Sequence, residues 1–176
     1  FQCEALRLML ARAFCGDAAA GEIATHSLAS MARGGVYDQL AGGFHRYSVD
    51  ERWHVPHFEK MAYDNAALLG LYADAFALTG EQSFARIAGE IRTWADEVLG
   101  GAAGRGFAAS QDADVGLRDD GDYFTWTLDE ARAVLDGRQL PLAVEWFALD
   151  ESGDMHDRPG RNVLHTPKTP EQVAAL

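Results

Sequence analysis

The chain has 176 residues, 48% of them apolar, and a formal net charge of −12. That length suffices for one well-filled core, and the acidic balance argues against a nucleic-acid groove or an anionic membrane surface, both of which require clustered Lys and Arg. No apolar run approaches the roughly 18–20 residues of a membrane span. The two cysteines, Cys3 and Cys15, sit in neither a CxxC nor a zinc spacing. They are expected to be small buried thiols in a reducing cytosol. The chain opens on Phe1 without a signal-like leader, and both ends fall inside helical patterns. That suggests a piece of a longer cytoplasmic protein.

In chain order, the spacing of Leu6, Met9, Leu10 and Ala13 predicts a helix over residues 1–14. Gly16 ends it, and Asp17 is a natural N-cap for a second helix reaching Arg33, with Ile23, Leu28 and Met31 on its apolar stripe. Gly34-Gly35 stops that helix, and the two read as a helical hairpin. Residues 34–65 then break the pattern. They hold three histidines, five acidic residues, Arg46 and Arg52, with no surface-helix period through most of their length. Polar groups at this density are tolerated in an interior only when paired, so the stretch is either a site or an elaborate structural loop.

Pro56 pushes Val55 towards an extended conformation and suits a first helical turn. A third helix is therefore expected from Pro56 or His57 to Leu78, with Met61, Leu68, Leu69, Tyr72, Ala75 and Phe76 inward and Thr79-Gly80 at its end. A fourth is expected over 82–99, carrying Phe84, Ile87, Ile91, Trp94 and Val98 and closed by Gly100, Gly101 and Gly104. GFAASQDAD and GDYFTWT then read as two short strands around a polar turn with Gly116, Asp119, Asp120 and Gly121. Thr127 and Glu130 have the spacing of a capping box for a helix over 128–136. Another helix is expected at 139–148, with Leu142, Val144, Trp146 and Phe147. ESGDMHDRPGRN reads as a loop, and Thr169-Pro170-Glu171 begins a last helix.

Consecutive amphipathic hairpins with irregular insertions point to a mainly α protein, an (α/α) toroid of helical hairpins with a short β-hairpin insertion; a compact bundle is the alternative. Both irregular segments follow an even-numbered helix. They are therefore expected at one end of the stack, where the loops of a toroid line a funnel.

If the third helix starts at His57, then His57, Met61 and Asp64 share a face, with Glu59 on another. A helix N-terminus lowers a histidine's pKa and stabilises anions. The plain alternative is that Glu59, Lys60 and Asp64 form a helix-start charge pattern. His45, His54 and His57, with Glu59 or Asp50, could hold a metal, but His54 and His57 flank Pro56 and no HExxH occurs; no metal or other cofactor is expected. Carbohydrate chemistry is the favoured reading. Phe44, Tyr47, Trp53 and Phe58 offer flat apolar faces, and His45, Arg46, Asp38 and Asp50 offer hydrogen bonds. Acid–base work on a sugar would fall to His57, Glu59, Asp64, Asp112 or Asp114. Trp94, Trp126 and Trp146 are expected in the core. A serine or cysteine nucleophile and a phosphate loop have no support, since GxSxG, a histidine beside either cysteine and a phosphate-binding glycine loop are all missing.

GGVYDQLAGGFHRYSVDERWHVPHFEKMAYDNAALL, then FAASQDAD, GDYFTWT and GRNVLH, together resemble the YyaL-type proteins, also called the spermatogenesis-associated protein 20 family. The likeness runs over roughly residues 25–165. It implies that the chain is part of a six-hairpin (α/α) toroid similar to those of N-acylglucosamine 2-epimerases and several glycoside hydrolases. In that family a thioredoxin-like domain precedes the toroid, and the resemblance implies that neither that domain nor the last hairpins fall within these residues. The resemblance also places His45, Arg46, Trp53, His57, Glu59, Asp64, Asp112 and Asp114 in signature segments, without assigning any of them a catalytic role. One departure stands out: Gly153-Asp154-Met155-His156 replaces the family's usual Gly-Asn-Phe-Glu turn. The expected ligand is a small molecule such as a sugar, with no nucleic acid and no membrane. Missing hairpins would leave apolar faces open to self-association. The rival reading is a non-enzymatic binding or scaffolding module beside a redox domain.

Overall fold

In a computed structural model, which describes residues 1–101, 106–116 and 121–175, the chain is mainly helical with three two-stranded antiparallel sheets. Helices α1 (Cys3–Phe14) and α2 (Ala18–Arg33) form the first hairpin. The Asp17 side chain accepts the Ala20 N–H, as its position predicts. α2 buries Ala20, Ala24, Leu28 and Met31, while Ile23 faces outward. Cys3 is half-buried and Cys15 exposed, so the expectation of two buried thiols fails for Cys15.

The histidine segment is extended where a helix is expected. Strand β1 (Tyr47–Ser48) pairs with β2 (Pro56–His57), and β3 (Lys60–Met61) follows at once. Helix α3 (Ala62–Thr79) therefore begins at Ala62, not at Pro56 or His57. The cause is competition for backbone partners. The Arg46 N–H donates to the carbonyls of His57 and Glu59 (3.3 and 2.7 Å), and the Ala62 N–H donates to Ala109 (2.9 Å), so these groups are unavailable to a helical ladder. Helix α4 (Gln82–Trp94) continues as a π-helical turn, Ala95–Leu99, that leaves Val98 exposed.

Strand β4 (Ser110–Gln111) pairs with β3, setting Lys60 opposite Gln111. Strand β5 (Thr125–Thr127) pairs with β6 (Arg161–Val163). The expected β-hairpin between the two strand segments thus does not form; each takes a partner far away in sequence. Gly104, Asp119 and Asp120, expected in connecting turns, lie outside the described residues. Helices α5 (Leu128–Val134) and α7 (Pro170–Ala174) carry the capping boxes Thr127/Glu130 and Thr169/Gln172, with α6 (Gln139–Phe147) between them. No helix among the described residues is long and apolar enough to cross a membrane.

α3 packs against α4 and α1, and α1 against α2, around a core that includes Leu10, Leu28, Leu68, Tyr72 and Ile87. Two buried asparagines tie the irregular segments to this frame. The Asn65 amide accepts from the Phe44 N–H (2.6 Å) and donates to the Phe44 and Met61 carbonyls (2.8 and 3.0 Å). Asn162 accepts from the Asp150 N–H and donates to the carbonyls of Trp126 and Asp150. Asn65→Ala strands the buried Phe44 N–H. It is expected to lower unfolding free energy by about 2–3 kcal/mol in urea titration, well beyond a typical surface change.

Candidate functional site

The β3–β4 pairing sends the Lys60 side chain inward, where none of its surface is exposed. Its Nζ donates to Asp38 Oδ2 at 2.7 Å and to the Gly42 carbonyl at 2.8 Å. The same charge lies 5.0 Å from the Phe124 ring centre and 5.4 Å from that of Trp94. Asp38 Oδ1 accepts the N–H groups of Leu40 and Ala41, each at 3.0 Å. Burial drives the Asp38 pKa upward, but Lys60 and these N–H donors outweigh it and hold the carboxyl below its usual range. Gly43, at φ +78°, lets the chain run against Trp94, whose Cδ2 would lie 2.7 Å from an added Cβ. Trp94 in turn donates its indole N–H to Gln111 Oε1 at 2.8 Å.

His45 is buried beside this pair. Its Nδ1–H donates to the Phe58 carbonyl at 2.7 Å. Because a carbonyl only accepts, that contact assigns the proton to Nδ1 and leaves a lone pair on Nε2. Burial, with the Lys60 charge second, pushes the His45 pKa down to about 3, so the ring is neutral. His45 lines a cavity of about 190 Å³ with Asp38, Phe58, Tyr123, Phe124, Trp126 and Val163. Phe58 and Phe124 lie parallel at 6.0 Å, with His45 edge-on to both. Gly121, at φ +81°, presses on Phe58, whose Cδ2 would lie 2.1 Å from an added Cβ. An aromatic wall with one imidazole acceptor suits a ligand with a flat apolar face and a hydroxyl to donate.

The histidine segment and the SQDAD stretch do meet, through β3 and β4. Of the residues suggested for sugar chemistry, however, only Asp38, His45 and Phe58 line this cavity, and none of the suggested acid–base groups does. His57 lies on the surface, stacked on Tyr47 at 5.1 Å across the β1–β2 pair. Arg46 Nη1 pairs with Glu59 Oε2 at 2.9 Å, also facing solvent. Asp64 sits in the first turn of α3, its pKa raised by burial. Since His57 lies outside that helix, the expected His57–Met61–Asp64 face does not form. Asp112 and Asp114 are exposed beyond β4. Phe44 lies wholly inside the main core, between Tyr37 and Tyr72. Trp53 adopts φ +61°, its carbonyl accepting the Val36 N–H and its ring stacking on Phe1.

Among the cavity residues that sequence reasoning missed are Tyr123, Phe124 and Trp126. Trp126 is expected in the core yet is only half-buried and faces the cavity. The available signal was three aromatics in the four residues 123–126, starting two positions after Gly121.

The His45–His54–His57 set, weighed from the sequence as a metal alternative, does not assemble. His45 faces Phe58 and Phe124, and His57 faces Tyr47. Asp50, a suggested ligand, instead accepts the N–H groups of Arg52, His54 and Val55 and shapes the turn. His54 meets Asp154 (Nε2 to Oδ2, 3.3 Å) and packs its ring 4.1 Å from that of His165. The Asp154 carboxylate raises the His54 pKa against the effect of burial, while burial lowers that of His165.

Removing the buried ammonium in Lys60→Met leaves the Asp38 carboxylate uncompensated and is expected to cost about 3–5 kcal/mol in chemical denaturation. Glu59→Gln, at a solvent-facing pair, is expected to cost less than about 1 kcal/mol. His45 titrates at 6.5 when unfolded and at about 3 when folded, so the unfolded state takes up the proton first as pH falls. Stability from this group is intact above pH 6.5 and is lost as pH drops towards 3, at up to about 1.4 kcal/mol per pH unit. Subtracting the pH–stability curve of His45→Gln from that of the unaltered protein isolates this slope.

No protein-family model matches the chain. It is 35% identical over 177 residues to mouse spermatogenesis-associated protein 20, an alignment covering 89% of this chain and 22% of that protein. The human protein of the same name is 36% identical, with the same coverage of both chains. An uncharacterised Caenorhabditis elegans protein is 31% identical over 169 residues, covering 84% of this chain and 23% of its own length. The chain is therefore homologous to spermatogenesis-associated protein 20 and spans about a fifth of the length of its mouse and human forms.

Proposed function

We propose that the chain is a portion of a carbohydrate-active (α/α) toroid of the spermatogenesis-associated protein 20, or YyaL-type, family, epimerase-like or hydrolase-like in its chemistry. The observation that carries this reading is the aromatic-walled cavity faced by the neutral imidazole of His45. Phe58, Phe124 and Trp126 would cover the apolar face of a sugar ring. His45 Nε2 would accept a hydroxyl proton in a hydrogen bond, and its low basicity suits it to positioning more than to proton abstraction. The acid–base step would fall to His57 with a carboxylate from Glu59, Asp64, Asp112 or Asp114, and substrate contacts to Arg46, Tyr47 and Trp53, all of which stand outside the cavity lining.

One observation favours a second reading. The proposed acid–base groups stand outside the cavity, which suits a non-enzymatic binding or scaffolding module beside a thioredoxin-like redox domain. The two readings separate in one experiment on the full-length protein. A library of mono- and disaccharides is expected to raise the melting temperature, and His45→Gln is expected to remove that rise. Product formation detected by NMR and abolished in His57→Ala or Asp112→Asn supports the enzyme. A thermal shift without product supports the binding module, and no shift with any sugar defeats the carbohydrate reading.

A further inference from the structure

We propose that His54, Asp154 and His165 form a binding site for a divalent transition-metal ion of the zinc class. The three come from separate stretches: the turn shaped by Asp50, the loop after α6, and the residue two positions beyond β6. One ligand atom from each lies within 4.8 Å of the other two. Two donors sharing a tetrahedral zinc at bonds of about 2.0–2.1 Å stand roughly 3.4 Å apart. His54 Nε2 and Asp154 Oδ2, at 3.3 Å, already have that spacing. The third donor, within 4.8 Å of both, needs to close by at most about 1.4 Å, within reach of a side-chain rotation.

The surroundings prepare these groups as ligands. His165 Nδ1–H donates to the Val163 carbonyl at 3.1 Å, leaving Nε2 with its lone pair. Metal-binding histidines are commonly oriented by such a bond to a backbone carbonyl. The Val163 N–H donates to Asp154 Oδ2 at 2.9 Å, so one residue of β6 fixes both an imidazole and the carboxylate. His54 Nε2 is buried and faces Asp154 Oδ2 at 3.3 Å, longer than a well-formed hydrogen bond. A metal ion between the two would take the imidazole lone pair and the carboxylate together, giving the buried nitrogen a shorter, directional partner.

The donor set selects the ion. Two imidazoles and a carboxylate suit Zn²⁺ and its neighbours Co²⁺, Ni²⁺ and Fe²⁺, and lack the thiolate that Cu(I) prefers. All three residues are half-buried, with Val55, Met155 and Val163 clustered nearby. One side therefore stays open for water, as in zinc sites with three protein ligands. None of the three ligands lines the His45 cavity, though Val163 borders both, and metal binding is read without any sugar, so the test is independent of the carbohydrate reading.

Chelator-stripped full-length protein is titrated with ZnCl₂ by calorimetry, and CoCl₂ loading is followed by visible absorption. One equivalent at this site is expected, with a cobalt spectrum of low-symmetry four- or five-coordination. His54→Ala and His165→Ala are each expected to weaken that equivalent by about 100-fold or more, since changing even a residue behind a ligand costs 10–100-fold. The exposed His26→Ala is expected to retain it. Asp154→Asn tests the carboxylate, and because Asp154 also holds β6, the two histidine variants keep the test decisive if that variant misfolds. Absence of bound zinc and cobalt in the folded protein, or binding unchanged in both His54→Ala and His165→Ala, overturns the proposal.

Discussion

The buried Lys60–Asp38 pair is the constraint on which the rest depends. An ammonium with no exposed surface is tolerable only if its protons have acceptors. Here a carboxylate, a backbone carbonyl and two aromatic faces supply them. These partners belong to the start and the glycine turn of the histidine segment, to α4 and to the aromatic run before β5. Satisfying one charge thus gathers four stretches of chain to one point. The arrangement also explains why Lys60 lies on a strand. From β3 its side chain projects across to Asp38, and Gln111 beside it on β4 receives the indole N–H of Trp94.

The same charge sets the chemistry of the cavity. A fixed positive group next to His45 opposes a second one, and burial works in the same direction. The imidazole therefore stays a neutral acceptor across physiological pH. Asp38 contributes little to ligand recognition although it lines the cavity, because both of its oxygens are engaged. Polarity in this pocket is sparse: the His45 lone pair and a few amide and hydroxyl groups amid aromatic faces.

Much of the helical frame was legible from spacing alone. Asp17, Thr127 and Thr169 cap the helices they were expected to cap, because a side-chain oxygen next to free N–H groups is a local interaction. The apolar faces of α1, α3 and α4 followed for the same reason. The histidine segment was legible as unusual and misread in detail. Pro56 looks like a helix start, but the residues after it are claimed by Arg46 and Ala109, which lie far from them in sequence. Strand β6 was unreadable because Arg-Asn-Val has neither length nor alternation; it exists through its pairing with β5 and the buried Asn162. Histidine partners were equally hidden. His54 belongs with Asp154 and His165, a grouping that no periodicity along the chain could reveal.

The β3–β4 and β5–β6 pairs are only two and three residues long, yet each closes a large loop of chain. Closing such loops takes entropy that so few ladder bonds cannot return alone. Their persistence must be borrowed from side chains already in place: Lys60, Trp94 and Asn162. The helical hairpins, rich in local contacts, can assemble rapidly, whereas the histidine segment and the residues around β6 gain order only when remote stretches arrive together. The part of the molecule with the most varied chemistry is thereby the part whose architecture is completed last and opens most readily.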